Sequence, residues 1–127
     1  MTALAPLKIM YLDPVSSSGG HDRIFAEMAR DHKLPQTEVH VASLPEDVGG
    51  FTHIEFRAYE AMVTRGIVRA VRAAAREGFD ALAIGCFYDT ALHDAREVSG
   101  GMVVSSGNAV GVQVASGRSR RKGIAGT

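Results

Sequence analysis

The sequence predicts an α/β fold: a three-layer α-β-α domain around a four-stranded, mostly parallel sheet of strand order 2-1-3-4. Two observations predict it. Strand-like and helix-like stretches alternate as β-α-β-α-β-α-β from Leu7 to Val104, the order that goes with parallel strands and right-handed crossovers. The third strand-like stretch, Ala81-Leu82-Ala83-Ile84-Gly85, lacks polar alternation, as expected of a central strand covered on both faces. The chain has 127 residues, 46% hydrophobic and 22% charged, which suits one compact domain.

Each element has its own signal. Leu7-Lys8-Ile9-Met10-Tyr11-Leu12 reads as the first strand and stops at Asp13-Pro14. Val15 to Gly20 is a Ser/Gly loop, with Ser18 and Gly20 as candidate caps for a helix over His21–His32. Ile24, Phe25, Met28 and Ala29 share one face of that helix. Thr37 to Ser43 alternates and is β-branched, the signature of a second strand, and Leu44 to Thr52 reads as a loop. A long helix is expected over Glu55–Glu77. Its inner stripe is Ala61, Val68, Val71 and Ala75, broadened by Met62, Ile67 and Ala74, and Gly78 stands at the C-cap position. After the third strand, Asp89 is the expected N-cap of a helix reaching Val98, and Met102-Val103-Val104 is the fourth strand.

Composition excludes several classes. Lys+Arg and Asp+Glu are 14 each, for a formal net charge of zero, which argues against a dedicated nucleic-acid binder. No apolar run approaches the roughly 20 residues that span a bilayer, and no export signal is visible near Met1, so neither membrane nor nucleic acid is an expected partner. One cysteine forms no internal disulfide, and a reducing cytoplasm is the default expectation. The five histidines have no metal-ligand spacing, so no metal is expected.

The candidate chemistry lies at the carboxyl ends of strands one and three, where open α/β sheets place their sites. The expected strand order makes the Asp13–Ser18 loop and Cys86 neighbours. Cys86 has two readings: a small buried apolar residue, or a thiol that attacks carbon or takes a proton from it. The loop Asp13-Pro14-Val15-Ser16-Ser17-Ser18-Gly19-Gly20 offers hydroxyls and N–H groups ahead of a helix. It suits a carboxylate or imide oxygen, or is only a capped βα loop. It is neither a Walker motif nor a dinucleotide fingerprint.

Three segments together resemble the aspartate/glutamate/hydantoin racemase superfamily, its hydantoin racemase-like branch most closely. Asp13-Pro14-Val15-Ser16-Ser17 resembles that branch's Asn-Pro-Asn-Thr-Ser loop. His53-Ile54-Glu55-Phe56-Arg57-Ala58-Tyr59-Glu60 resembles its entry to the long helix. Gly78 to Asp89, followed by Ala91-Leu92 and Ala95-Arg96-Glu97, resembles its first catalytic cysteine block.

The resemblance implies a cofactor-independent isomerase, a racemase or epimerase of hydantoins or amino-acid derivatives, with two cysteines on opposite faces of the α-carbon. One thiolate removes the α-proton and the other thiol returns one. Cys86 matches the first cysteine and is the expected catalytic residue. Asp13, Ser16, Ser17 and Phe87 are the expected substrate-binding residues. Asp13 stands where the branch has asparagine, so an anionic substrate is repelled and a neutral ring is less affected.

The family pattern is expected to cover one half-domain, residues 1–104, with the first cysteine. Residues 105–127, with the basic cluster Arg118-Ser119-Arg120-Arg121-Lys122, are expected to be a divergent, disordered tail. Truncation or a reading-frame shift is the expected reason that no second half follows. A homo-oligomer stays open, since a symmetric dimer brings a second Cys86 across the site only if the strand ends face each other. Two further functions compete: a single-cysteine lyase or cis-trans isomerase of the same superfamily, and an inactive fragment or partner-binding half-domain.

Overall fold

A computed structural model of the chain describes residues 6–16, 20–48, 50–86 and 88–106. Four strands, β1 (Lys8–Asp13), β2 (Glu38–Ser43), β3 (Ala81–Ile84) and β4 (Val103–Ser106), form one sheet of order β2-β1-β3-β4. Every pair is parallel, with Ile9 opposite Val39, Leu12 opposite Ile84 and Leu82 opposite Val104. This is the expected strand order. β4 runs to Ser106, and Ser105 and Ser106 are buried, so the sheet reaches past the boundary expected at residue 104. Residues 107–127, on which the tail expectation falls, lie outside the described residues.

The core lies on one face of the sheet. Leu12, Leu82, Ile84 and Val104 pack there against Val63, Ile67, Val71 and Ala74 of α2 (Arg57–Arg76) and against Leu92 and Ala95 of α3 (Leu92–Glu97). Leu12, Ile67, Leu82 and Ile84 are fully buried, each contributing about 1.5–3 kcal/mol of transfer free energy. In β3 Leu82, Ala83 and Ile84 are all buried, the two-sided burial its uniform apolarity predicts.

α2 is rotated from the expected stripe. Its buried residues are Val63, Gly66, Ile67, Val71 and Ala74, whereas Ala61 is exposed and Met62 is 51% exposed. The helix starts at Arg57, two residues later than expected, and its N-cap Phe56 makes no side-chain cap bond. Its end is as expected. Gly78 takes φ +82, the Gly78 N–H donates to the Ala75 carbonyl, and the Phe79 N–H donates to the Ala74 carbonyl, the two bonds that close a helix on a left-handed glycine.

The opposite face carries α1 (Gly20–His32), one residue longer at its start than predicted. It packs through Phe25, whose ring lies 4.8 Å from that of Tyr11. Ile24 and Met28, expected on the buried face, are 50% and 54% exposed. α1 packs mainly against β2, at the sheet edge, so half of its apolar stripe finds nothing to cover it among the described residues.

The third helix departs most from expectation. Asp89 is not its N-cap. α3 begins at Leu92, its N-cap is Ala91 in the left-handed region (φ 56, ψ 16), and no side chain caps it. Asp89 itself has φ 55, incompatible with an extended N-cap conformation, and contributes its carbonyl to the Leu92 N–H at 3.1 Å instead. An alanine in this region costs about 1–2 kcal/mol. Ala91→Gly is therefore expected to stabilise the domain by about 0.5–1 kcal/mol, once the added freedom of the unfolded chain is subtracted. Urea denaturation reads this directly, and a loss of stability would show that the side chain's packing outweighs the strain.

Candidate active site at the carboxyl ends of strands one and three

β1 and β3 end side by side. The Gly85 N–H donates to the Leu12 carbonyl at 2.8 Å, which carries the register one step past Leu12 and Ile84. Asp13 and Cys86 therefore lie at the same sheet edge, as the strand order predicts. Successive residues alternate faces. Asp13, Tyr11 and Gly85 are on the α1 face, whereas Cys86 packs with the Leu12, Ile84 and Leu92 cluster beneath α2 and α3.

Cys86 is 9% exposed, and its Sγ lies 3.3 Å from Thr90 Oγ1, a hydroxyl that is fully buried. The Cys86 N–H donates to the Ile84 carbonyl at 2.8 Å, a tight turn that swings the residue off the strand. Five residues, 87–91, separate Cys86 from α3. Among the described residues the thiol's hydrogen-bond partner is thus a side-chain hydroxyl, not the helix start that the sequence suggested.

Asp13 is 5% exposed, with His21 Nδ1 3.3 Å from its Oδ2. Burial raises its carboxyl above the ordinary range. The hydrogen bond and charge of His21 oppose the rise, Asp22 adds to it, and the Val15 N–H opposes it. A pH dependence follows. Above the ordinary carboxyl value of 3.8 the unfolded chain has lost this proton while the folded chain still holds it. The folded state then binds more protons, so this group's contribution to stability is lost as pH rises through the folded value. Asp13→Asn is expected to flatten that fall relative to the parent chain in urea titrations upward from about pH 4. An unchanged difference between the two chains across that range would contradict it.

Tyr11 completes the edge. Burial, then the nearby charges of Asp13 and Cys86, raise its hydroxyl above the ordinary phenol value of 10.0. Its ring passes over Gly85, where a Cβ would fall 2.6 Å from Tyr11 Cζ.

Ser16 is buried, and both its donors are occupied within the chain. Its N–H donates to the Phe51 carbonyl at 2.7 Å and its hydroxyl to the Pro45 carbonyl at 3.2 Å. Ser17 and Phe87 lie outside the described residues. Beyond Ser16, Phe51 stacks on Tyr59 at 4.4 Å, and Phe56 and His53 join them, so the entry to α2 is an aromatic cluster beside the loop. Among the described residues no group of three His, Cys, Asp or Glu side chains is placed to hold a metal, and no helix is long and apolar enough to cross a membrane.

Sequence reasoning missed Tyr11, His21 and Thr90 as parts of this edge. Period-two alternation puts Tyr11 on the face of Asp13, a signal the first strand already contained. Thr90 and His21, four and eight residues along the chain from Cys86 and Asp13, carry no comparable mark in residue type or pattern.

The chain is thus a parallel α/β sheet with a buried thiol and a buried carboxyl group at adjoining strand ends, the edge at which open α/β sheets place their sites. The Asp/Glu/hydantoin racemase family model matches residues 10–127, and the chain belongs to that family. The match continues past Ser105, where the sequence alone suggested that the pattern stops. A hydantoin racemase from Rhizobium meliloti is 44% identical over 80 residues, covering 63% of this chain and 32% of that protein. An allantoin racemase structure from Klebsiella pneumoniae superposes with a TM-score of 0.64 at 28% identity, covering 72% of this chain and 36% of that one. The chain thus spans about a third of the length of these relatives.

Proposed function

We propose that this chain carries one acid/base of a cofactor-independent racemase or epimerase of hydantoins or amino-acid derivatives, with the Cys86 thiolate moving the α-proton of a small-molecule substrate. The observation that carries the reading is the position of the chain's only cysteine. It follows the central strand, beside the end of β1, with the Thr90 hydroxyl 3.3 Å from its Sγ. A hydrogen bond from that hydroxyl stabilises a thiolate, and the thiolate is the competent base. The carbonyl oxygen that gains charge as the α-carbon loses its proton needs donors already in place. Ser16, by exchanging the Pro45 carbonyl for substrate, and Ser17 are the proposed donors, with Asp13 and Phe87 completing the binding residues.

One thiol moves a proton on one face only, and inversion needs an acid on the other. The test is a 5-substituted L-hydantoin in deuterium oxide, followed by mass spectrometry and optical rotation against a protein-free control. Deuterium entering the α-carbon faster than rotation is lost is the expected result for Cys86 acting alone. Loss of rotation in step with exchange would mean that an acid from elsewhere, such as a second copy, serves the far face. No exchange above the control would overturn the reading. Turnover of an arylmalonate or maleate with none of a hydantoin would replace it with a single-cysteine lyase or isomerase.

A further inference from the structure

We infer that the open edge of the sheet at β2, with the groove between β2 and α1, docks an acidic, extended segment of a partner protein, which adds to the sheet as a fifth strand. The inference is independent of the proposed reaction. β1 stands between this edge and β3, the strand that leads to Cys86.

β2 ends the strand order β2-β1-β3-β4. All six of its residues, Glu38 to Ser43, pair in parallel register with β1. Among the described residues no strand lies on its other side. An edge strand of this kind presents a row of free N–H and C=O groups, and proteins usually block it with lysine, proline or a bulge. β2 contains neither lysine nor proline, and its register with β1 runs without a bulge.

A groove of about 370 Å³ lies beside the strand. Its apolar lining is Ala26 and Ala29 of α1 with Val39 and Val41 of β2. Its cations are Arg23, Arg30 and Lys33, all from α1. Ten residues of helix from Arg23 to Lys33 rise about 15 Å, and the six residues of β2 span about as much. The cations therefore run beside the strand over its length. Asp22 is the acid of the lining, and its Oδ2 takes the Ser43 hydroxyl at 3.0 Å. Three cations against one carboxylate leave the groove formally positive, although the whole chain has a formal net charge of zero. The chain itself holds these cations weakly. Arg30 Nε lies 3.9 Å from Asp31 Oδ1 in an exposed pair, a kind that contributes little. Lys33 Nζ is 3.5 Å from the Pro35 carbonyl, the outer limit of a hydrogen bond.

Charge selects the occupant. A second copy paired antiparallel across a two-fold axis would set its own Arg23, Arg30 and Lys33 on the same face, like against like. An acidic strand meets the opposite sign. Every second residue of an added strand faces α1, about 6–7 Å apart. The fitting pattern is acid, apolar, acid at alternate positions: the apolar side chain over Ala26, Ala29, Val39 and Val41, the acids toward Arg23 at one end and Arg30 and Lys33 at the other. Main-chain hydrogen bonds then supply affinity, and the alternate side chains supply specificity.

Fluorescence anisotropy of the 127-residue chain with the labelled peptide Thr-Glu-Thr-Val-Thr-Glu-Thr tests the inference. The expected result is binding that weakens as salt is raised, and that is weaker by about tenfold or more for Thr-Lys-Thr-Val-Thr-Lys-Thr. The double variant Arg23→Glu/Arg30→Glu, with its fold checked by circular dichroism, should reverse the order of the two peptides. N-methylation reads the backbone. Successive N–H groups of a strand point to opposite sides, so a methyl on the valine nitrogen and one on the next threonine nitrogen should differ, one costing about tenfold and the other little. No binding of the acidic peptide by the parent chain would overturn the inference. So would the parent order of peptides in the folded double variant, or two methyls of equal effect. A sedimenting dimer that excludes the peptide would overturn it too, and would assign the edge to a second copy.

Discussion

Cys86→Ser is expected to lower α-deuterium exchange into a 5-substituted hydantoin by about 10²–10⁴-fold, the range that a positioned acid/base contributes, and to shift folding stability by less than about 1 kcal/mol. The two effects separate because the substitution changes acidity much more than shape. A serine hydroxyl is a far weaker acid than a thiol, so at neutral pH it supplies almost no anionic base. It is smaller by little, and the Thr90 hydroxyl 3.3 Å from Sγ remains a partner for the new oxygen. The side chain it replaces is 9% exposed within the cluster of Leu12, Ile84 and Leu92. Packing around the site is thus largely kept while the chemistry is removed. Cys86→Ala deletes the sulfur and leaves a small void, so a comparison of the two variants reads packing against protonation. Exchange retained in Cys86→Ser would sink every thiol-based account of this site, whatever the substrate.

Much of the framework could be read directly from the residues. Strand order follows from the β-α alternation and crossover handedness, and it places Asp13 beside Cys86 before any coordinate is known. Gly78 could be recognised because a left-handed helix end is a local requirement that glycine meets at little cost. Where burial depends on what lies opposite, local pattern misleads. The stripe through Ile24, Phe25, Met28 and Ala29 is real, yet α1 lies at the β2 edge, and Ile24 and Met28 stay half exposed. Asp89 has the right side chain for an N-cap, but its own φ of 55 and the φ of 56 at Ala91 go with a cap two residues later. The site divides in the same way. Cys86 and Asp13 stand out by residue type and position. Thr90 and His21 are ordinary residues that only the folded chain brings to them.

Gly85→Ala is expected to cost about 1–3 kcal/mol in urea denaturation, the range for forcing an extra methyl into a packed site. The backbone dihedral is not the cause, for Gly85 is not among the glycines of positive φ. The cause is the Tyr11 ring. A Cβ at Gly85 would lie 2.6 Å from Tyr11 Cζ and 2.9 Å from Cε1, and closer still to the hydroxyl. Neither side can retreat freely. The Gly85 N–H is bonded to the Leu12 carbonyl at 2.8 Å, and the Tyr11 ring is backed by Phe25 with centroids 4.8 Å apart. Removing the ring removes the collision, so in a Tyr11→Ala background the same substitution should cost less than about 0.5 kcal/mol. The cycle then gives a coupling energy within the range of contacting pairs. Additive costs would show that the ring is not what the methyl meets. The consequence reaches the chemistry as well. Tyr11 shares its charge environment with both Asp13 and Cys86, so a ring pushed off Gly85 disturbs the whole edge, and hydantoin exchange should fall in Gly85→Ala under conditions where the variant is fully folded.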